Sequence, residues 1–202
     1  MSDSYKYIDP DFTYTDPNTG QLRNLQDISD PAVLLFVESS IVTKQLQELY
    51  LNPIKIKGIE SLFEIHKRLF QDIYFWAGEK RTVEISKNGK QFFPTTHFEN
   101  AFIYIDNLIN SFKALPKNNK KLLAEKLADI LDNVNYLHPF REGNGRTQRE
   151  FLRLLALEKE LNLNLNPPDN KSVYERYMKG TIESDLQTLT ELISELIHIN
   201  AE

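Results

Sequence analysis

The residues best equipped for chemistry stand together at positions 138–149: His138-Pro139-Phe140-Arg141-Glu142-Gly143-Asn144-Gly145-Arg146-Thr147-Gln148-Arg149. Pro139 stops any helix that arrives through Leu137, and a new apolar helical run begins near Asn144, so the glycines fall at a helix N-terminus. Gly143 and Gly145 admit positive φ and close backbone approach, and the unpaired N–H groups of the first turn carry the positive end of the helix dipole. Gly143, Asn144 and Gly145 therefore read as an anion nest. Arg146 and Arg149, three apart on one helix face, are suited to fork two phosphate groups of one chain. Glu142 would repel phosphate there unless a hard cation lay between them, and Mg²⁺ held by one carboxylate plus phosphate oxygens is the ordinary arrangement. His138 is then available to take the proton of an incoming hydroxyl.

The elements that must hold this stretch follow from apolar spacing. The incoming helix spans 121–137, with Leu122, Leu123, Leu127, Ile130, Leu131 and Val134 at helical intervals, and the outgoing helix spans about 144–161. Upstream, Ser29 or Asp30 caps a helix that has Pro31 in its first turn and ends near Leu51. Another runs from Gly58 to about Phe75, where His66 reads as a hydrogen-bonded interior residue, Trp76 as core and Gly78 as a turn. Thr95 or Thr96 caps a helix to Leu115, and beyond Pro167-Pro168 come a short helix, a break at Gly180 and a last helix over 183–199. Asn88-Gly89 between the β-prone runs 82–86 and 91–94 predicts a hairpin, isolated in a helical chain and so with open edges. Residues 1–29, with a turn at Asp16-Pro17-Asn18-Thr19-Gly20, read as an irregular arm on a single domain over 30–199.

At 202 residues and 41% hydrophobic content the chain is long enough for one substantial core. A net charge of −5 without a Lys/Arg tract lacks the basic footprint of nucleic-acid binding, so no nucleic-acid partner is expected. The lack of cysteine excludes disulfides and thiol nucleophiles, and His66, His97, His138 and His198 are too scattered to form a metal cluster. The polar start Met-Ser-Asp-Ser-Tyr is no export signal and no stretch is apolar enough to span a bilayer, which gives a cytoplasmic expectation with no membrane partner.

The stretch His138 to Arg149 resembles the Fic-domain signature His-x-Phe-x-(Asp/Glu)-Gly-Asn-Gly-Arg-x-x-Arg at every specified position, with Glu142 where many members carry Asp. Independently, Ile65 to Arg81 is similar to the family segment Ile-His-x-x-Leu-Phe-x-Asp-x-Tyr-x-Trp-Ala-Gly-x-x-Arg, and Gly20 to Leu25 resembles the segment that precedes the first helix in many bacterial members. The resemblance implies an all-α bundle with one β-hairpin, the flap, near residues 82–93. It implies binding of ATP with Mg²⁺ and transfer of AMP to a Tyr, Thr or Ser hydroxyl of a target protein. In that reading His138 is the general base, Glu142 the metal carboxylate, and Gly143, Asn144, Gly145, Arg146 and Arg149 bind phosphates, the two arginines taking the β- and γ-groups. Thr82, Val83, Glu84, Ile85, Gln91, Phe92 and Phe93 would dock the target as an added strand, and Tyr174 and Tyr177 are expected at the adenine from their distance after the signature.

The same nest would also serve transfer of UMP, phosphocholine or a phosphoryl group, and a nucleotide-binding regulator with negligible turnover is a third reading, against which the intact His138 argues. Many Fic proteins carry an inhibitory helix with (Ser/Thr)-x-x-x-Glu-(Gly/Asn), whose glutamate pairs with the second signature arginine, here Arg149. The only match is Thr95-Thr96-His97-Phe98-Glu99-Asn100, which reads instead as a helix start with Glu99 in its first turn. Inhibition is therefore expected in trans, from a small helical antitoxin.

Overall fold

The computed structural model describes residues 5–7, 9–87 and 89–199; Asn88 of the expected turn lies outside them. In chain order the elements are β1 (Tyr5–Tyr7), α1 (Pro31–Leu51), α2 (Glu60–Phe70), β2 (Ile85–Lys87), β3 (Lys90–Gln91), a 3₁₀ turn (Thr95–His97), α3 (Phe98–Ala114), α4 (Lys120–Leu137), α5 (Asn144–Leu157), β4 (Leu161–Asn162), α6 (Lys171–Glu183), α7 (Leu186–Leu196) and β5 (His198–Ile199). The architecture is the expected helical bundle, with little β-structure.

Helix α4 is the axis. Its residues Leu123, Ala124, Leu127, Ala128, Ile130, Leu131, Val134 and Leu137 are all buried, more of its circumference than the single stripe of a surface helix. It packs against α3, α5 and α7, while α2 lies between α1 and α5. The signature loop between α4 and α5 is thereby held at the end of a deeply buried helix. Asp30 caps α1, its Oδ1 accepting from the Ala32 and Val33 amides at 2.8 and 2.9 Å, a contact of about 1 kcal/mol.

Several boundaries differ from expectation, each for a local reason. Helix α2 stops at Phe70, and the following residues form turns in which the Tyr74 amide still bonds the Phe70 carbonyl. Helix α5 stops at Leu157 because Glu160 takes a left-handed conformation (φ +61°) and turns the chain into β4, which pairs with β5; the last helix consequently ends at Leu196. The 3₁₀ turn precedes α3 without a side-chain cap from either threonine. Gly180 does not break the chain: α6 runs through it, since a Cβ there would lie 2.6 Å from Leu189 Cδ2 and only glycine lets α6 and α7 approach so closely. The helix ends instead at Ser184, with φ +53°.

The hairpin is not isolated. β1 adds to it antiparallel, giving the strand order β1-β2-β3. The arm is correspondingly ordered around Tyr14, whose buried ring packs edge-on to Trp76 and whose hydroxyl accepts from the Thr82 amide at 3.0 Å.

Candidate active site

The signature loop closes on itself and is then fastened from outside. The Asn144 side chain bonds both the amide and the carbonyl of Phe140, at 3.0 and 2.8 Å, which fixes residues 140–144 as one turn. Gly143 has φ +82°, and a Cβ on it would lie 2.4 Å from the Phe70 ring, so both conformation and space demand glycine. His66 on α2 is buried: its Nδ1 accepts from the Gly78 amide at 2.8 Å, which leaves Nε2–H to donate to the Glu142 carbonyl at 3.0 Å. Its ring stacks on Phe140 at 3.8 Å. The interior reading of His66 is correct, and the residue also sets the position of the loop.

Arg81 performs the second fastening, a role that its place in the Ile65–Arg81 segment did not announce. Its buried guanidinium donates to three carbonyls, those of His138 (2.8 Å), Val83 (2.7 Å) and Phe93 (2.6 Å). Both feet of the hairpin are thus tied to the peptide of the candidate base.

His138 is the C-cap of α4, with φ +45°. Its Nδ1 lies 3.1 Å from the Asn135 carbonyl and donates to it, which leaves Nε2 as the unprotonated nitrogen. Phe92 stacks on the ring at 3.7 Å. Burial pushes the pKa down to about 3, against the opposing pull of the Asn135 bond and with help from the charges of Arg81 and Lys87. The imidazole is therefore a neutral acceptor at physiological pH.

A cavity of about 380 Å³, within the range of small-molecule sites, opens onto this histidine. The hairpin contributes Lys87, Lys90 and Phe92; the loop and α5 contribute Glu142, Gly143, Gly145, Arg146 and Arg149; α6 contributes Tyr174 and Tyr177. Among the expected nest residues Asn144 is absent from the lining, its side chain being spent on the turn. Of the expected docking residues only Phe92 reaches the cavity. Val83 and Ile85 are buried, and Glu84 accepts from the Thr95 amide at 2.9 Å. Thr82 bonds Tyr14, Phe93 gives its carbonyl to Arg81, and Gln91 is exposed on β3.

The two arginines have different neighbours. Arg146 sits over the Phe70 ring, with Nη1 2.5 Å from Glu38 and Nη2 3.6 Å from Glu142. Arg149 lies 5.3 Å from the ring centres of both Tyr174 and Tyr177. Glu38, buried on α1 and also bonded by the Tyr74 hydroxyl, was missed by the sequence reading. A signal existed: it stands midway between the buried Leu34 and Val42 at intervals of four, a charge in the apolar stripe of α1.

Residues 56–156 match the Fic/DOC family. The chain belongs to the Fic/DOC family. It is 38% identical over 154 residues to protein adenylyltransferase VbhT of Bartonella schoenbuchensis, an alignment covering 76% of this chain and 32% of VbhT. The chain thus spans about a third of the length of that Fic/DOC relative. Similarity to the probable protein adenylyltransferase Fic of Escherichia coli K12 is 26% over 184 residues, covering 91% of each chain. Among solved Fic/DOC-like structures, BepC of Bartonella tribocorum with bound AMPPNP superposes with a TM-score of 0.81 at 20% identity, over 94% of this chain and 98% of BepC. Among the described residues no helix is long and apolar enough to cross a membrane.

Proposed function

We infer that this Fic/DOC chain is a protein adenylyltransferase that moves AMP from ATP to a hydroxyl side chain of a target protein. The observation that carries the reading is the unprotonated His138 Nε2 beside a glycine-lined helix N-terminus in one cavity. The target hydroxyl gives its proton to Nε2 as its oxygen attacks the α-phosphorus, the bond to the bridging oxygen breaks, and pyrophosphate leaves. Backbone amides at Gly143–Gly145 and the Arg146 and Arg149 guanidiniums offset the phosphate charge. Tyr174 and Tyr177 on α6, which line the same cavity, suit the adenine. VbhT carries the same activity in its name, which supports this choice over transfer of UMP, phosphocholine or a phosphoryl group.

Glu142 presents a half-exposed carboxylate beside the nest, its Oε1 accepting from the Gly143 amide at 2.9 Å. One carboxylate next to a phosphate site fits Mg²⁺, whose other ligands are phosphate oxygens and water. Bound there, the ion would neutralise charge on the departing pyrophosphate.

We take residues 30–199 as the catalytic domain and 1–29 as an arm upon it, working in the cytoplasm. The carboxylates near the nest, Glu38 and Glu142, both go to Arg146, while among the described residues Arg149 is ion-paired to none. This supports control in trans by a small helical antitoxin whose glutamate would take Arg149. Incubation with α- and γ-labelled ATP tests the activity. AMP transfer leaves the α label on protein; γ label on protein would mean phosphoryl transfer, and neither label would mean a binder.

A further inference from the structure

Gly145 and Gln148 both line the cavity, and their spacing puts Gln148 about one turn past the glycine nest on the same face of α5. Gln148 is buried, at 2% exposure, and its neighbours fix which way its amide faces. Asn135 Nδ2 donates to the Thr181 carbonyl at 3.0 Å, so Asn135 Oδ1 is the atom turned to Gln148 Nε2, 3.4 Å away. Gln148 Nε2 also donates to the Tyr177 hydroxyl. The nitrogen is thus committed, and Gln148 Oε1 is left as a buried acceptor without a partner among the described residues. Thr181, the nearby hydroxyl, gives its own proton to the Tyr177 carbonyl at 2.9 Å. An orphaned buried carbonyl oxygen carries an uncompensated desolvation cost, and a ligand that brings a donor to it removes that cost.

Resting on the adenylyltransferase reading above, which seats the phosphates at Gly143–Gly145, we propose that Gln148 Oε1 accepts a hydrogen bond from a ribose hydroxyl of the nucleotide and so selects ribonucleotides. Position decides the donor. The sugar is the part of ATP next to the α-phosphate, and Gln148 stands one helical turn from the nest, whereas the base lies beyond the sugar. The terminal torsion of a glutamine amide is broad, so a small turn of that group presents Oε1 to a ligand in the cavity. A deoxynucleotide leaves the oxygen orphaned, and a site built to bond a hydroxyl rejects the analogue that lacks it. Holding the sugar also steadies the α-phosphorus attached to it.

The test is calorimetric titration of the full chain with ATP, 2′-deoxy-ATP, 3′-deoxy-ATP and inosine triphosphate, beside labelling of a bacterial lysate with α-labelled ATP. The unaltered chain should bind at least one deoxy analogue about 10–100-fold more weakly than ATP, which identifies the hydroxyl. Gln148→Met, of similar volume, should weaken ATP to the level of that analogue, so that the preference disappears. Tyr177→Phe removes the hydroxyl beside Gln148 but leaves Oε1, and the preference should remain. Equal affinity of the unaltered chain for ATP and both deoxy analogues overturns the proposal whether or not either variant folds. A preference that survives in Gln148→Met or is lost in Tyr177→Phe also overturns it. So does a Gln148→Met effect confined to the ratio of ATP to inosine triphosphate, which would put the oxygen at the base. Labelling without a hydroxyl preference overturns this proposal alone, a hydroxyl preference without labelling overturns the adenylyltransferase reading alone, and a chain that binds no ATP overturns both.

Discussion

The Glu38 carboxylate on α1 lies 2.5 Å from Nη1 of Arg146 on α5, joining the first helix to the first turn after the signature glycines. Glu38 is buried and the Tyr74 hydroxyl donates to it, so the pair is a fixed strut rather than a surface contact. Arg146 thus meets Glu38 on α1 and also lines the cavity that opens onto His138.

Glu38→Gln should therefore damage both stability and ATP handling. Breaking one side of a buried pair costs about 3–5 kcal/mol, and the partial exposure of Arg146 reduces this to about 2 kcal/mol. Urea unfolding measures that loss, and the KM for ATP should rise as Arg146 loses its orientation. An unchanged KM in a folded variant would mean that Arg146 does not meet the nucleotide.

His138→Ala should lower transfer by about 10²–10⁴-fold while ATP binding stays close to wild type, because the proposed role of His138 is at the target hydroxyl and not at the nucleotide. Calorimetric titration of ATP beside a labelling assay separates the two quantities. Loss of ATP affinity in parallel with transfer would assign the imidazole to nucleotide binding instead.

The pH dependence has a worked sign. His66 and His138 both have pKa values lowered from 6.5 to about 3, chiefly by burial, so the folded state keeps both neutral. Such groups support the fold fully above pH 6.5 and withdraw that support progressively as pH falls from 6.5 toward 3. Urea midpoints should drop between pH 7.5 and 5, while the transfer rate of the chain that remains folded shows no step near 6.5 from His138. A rate profile with a midpoint near 6.5 would place a solvent-equilibrated histidine at the base position.

Glu142→Ala should raise the Mg²⁺ concentration needed for half-maximal transfer, with partial rescue at high Mg²⁺, as removal of the proposed metal carboxylate requires. Titration of transfer against Mg²⁺ decides it, and an unaltered midpoint would remove Glu142 from metal binding.

Glu99→Gly should leave transfer unchanged. Its side chain is 75% exposed and its partner is Lys80, 2.8 Å away, at the surface start of α3. A rise in labelling of several-fold would make this helix start an internal inhibitor.

The signature and its immediate frame were legible in the chain because they depend on neighbours in sequence. Pro139 ends α4, the glycines around Asn144 permit the turn, Asp30 and Pro31 start α1, and apolar spacing marks each buried helix face. Those are properties of a few contiguous residues, set by backbone sterics and by the 3.6-residue repeat. Only the tertiary structure decided the Glu38–Arg146 strut, the three carbonyls on Arg81, the addition of β1 to the hairpin and the passage of α6 through Gly180. Each depends on how separate elements pack, and at Gly180 packing overrides a local preference: glycine costs a helix about 1 kcal/mol, yet close packing on Leu189 requires it. A charge in an apolar stripe likewise looks like an error until the arginine that meets it is brought beside it by the packing of α2 between α1 and α5.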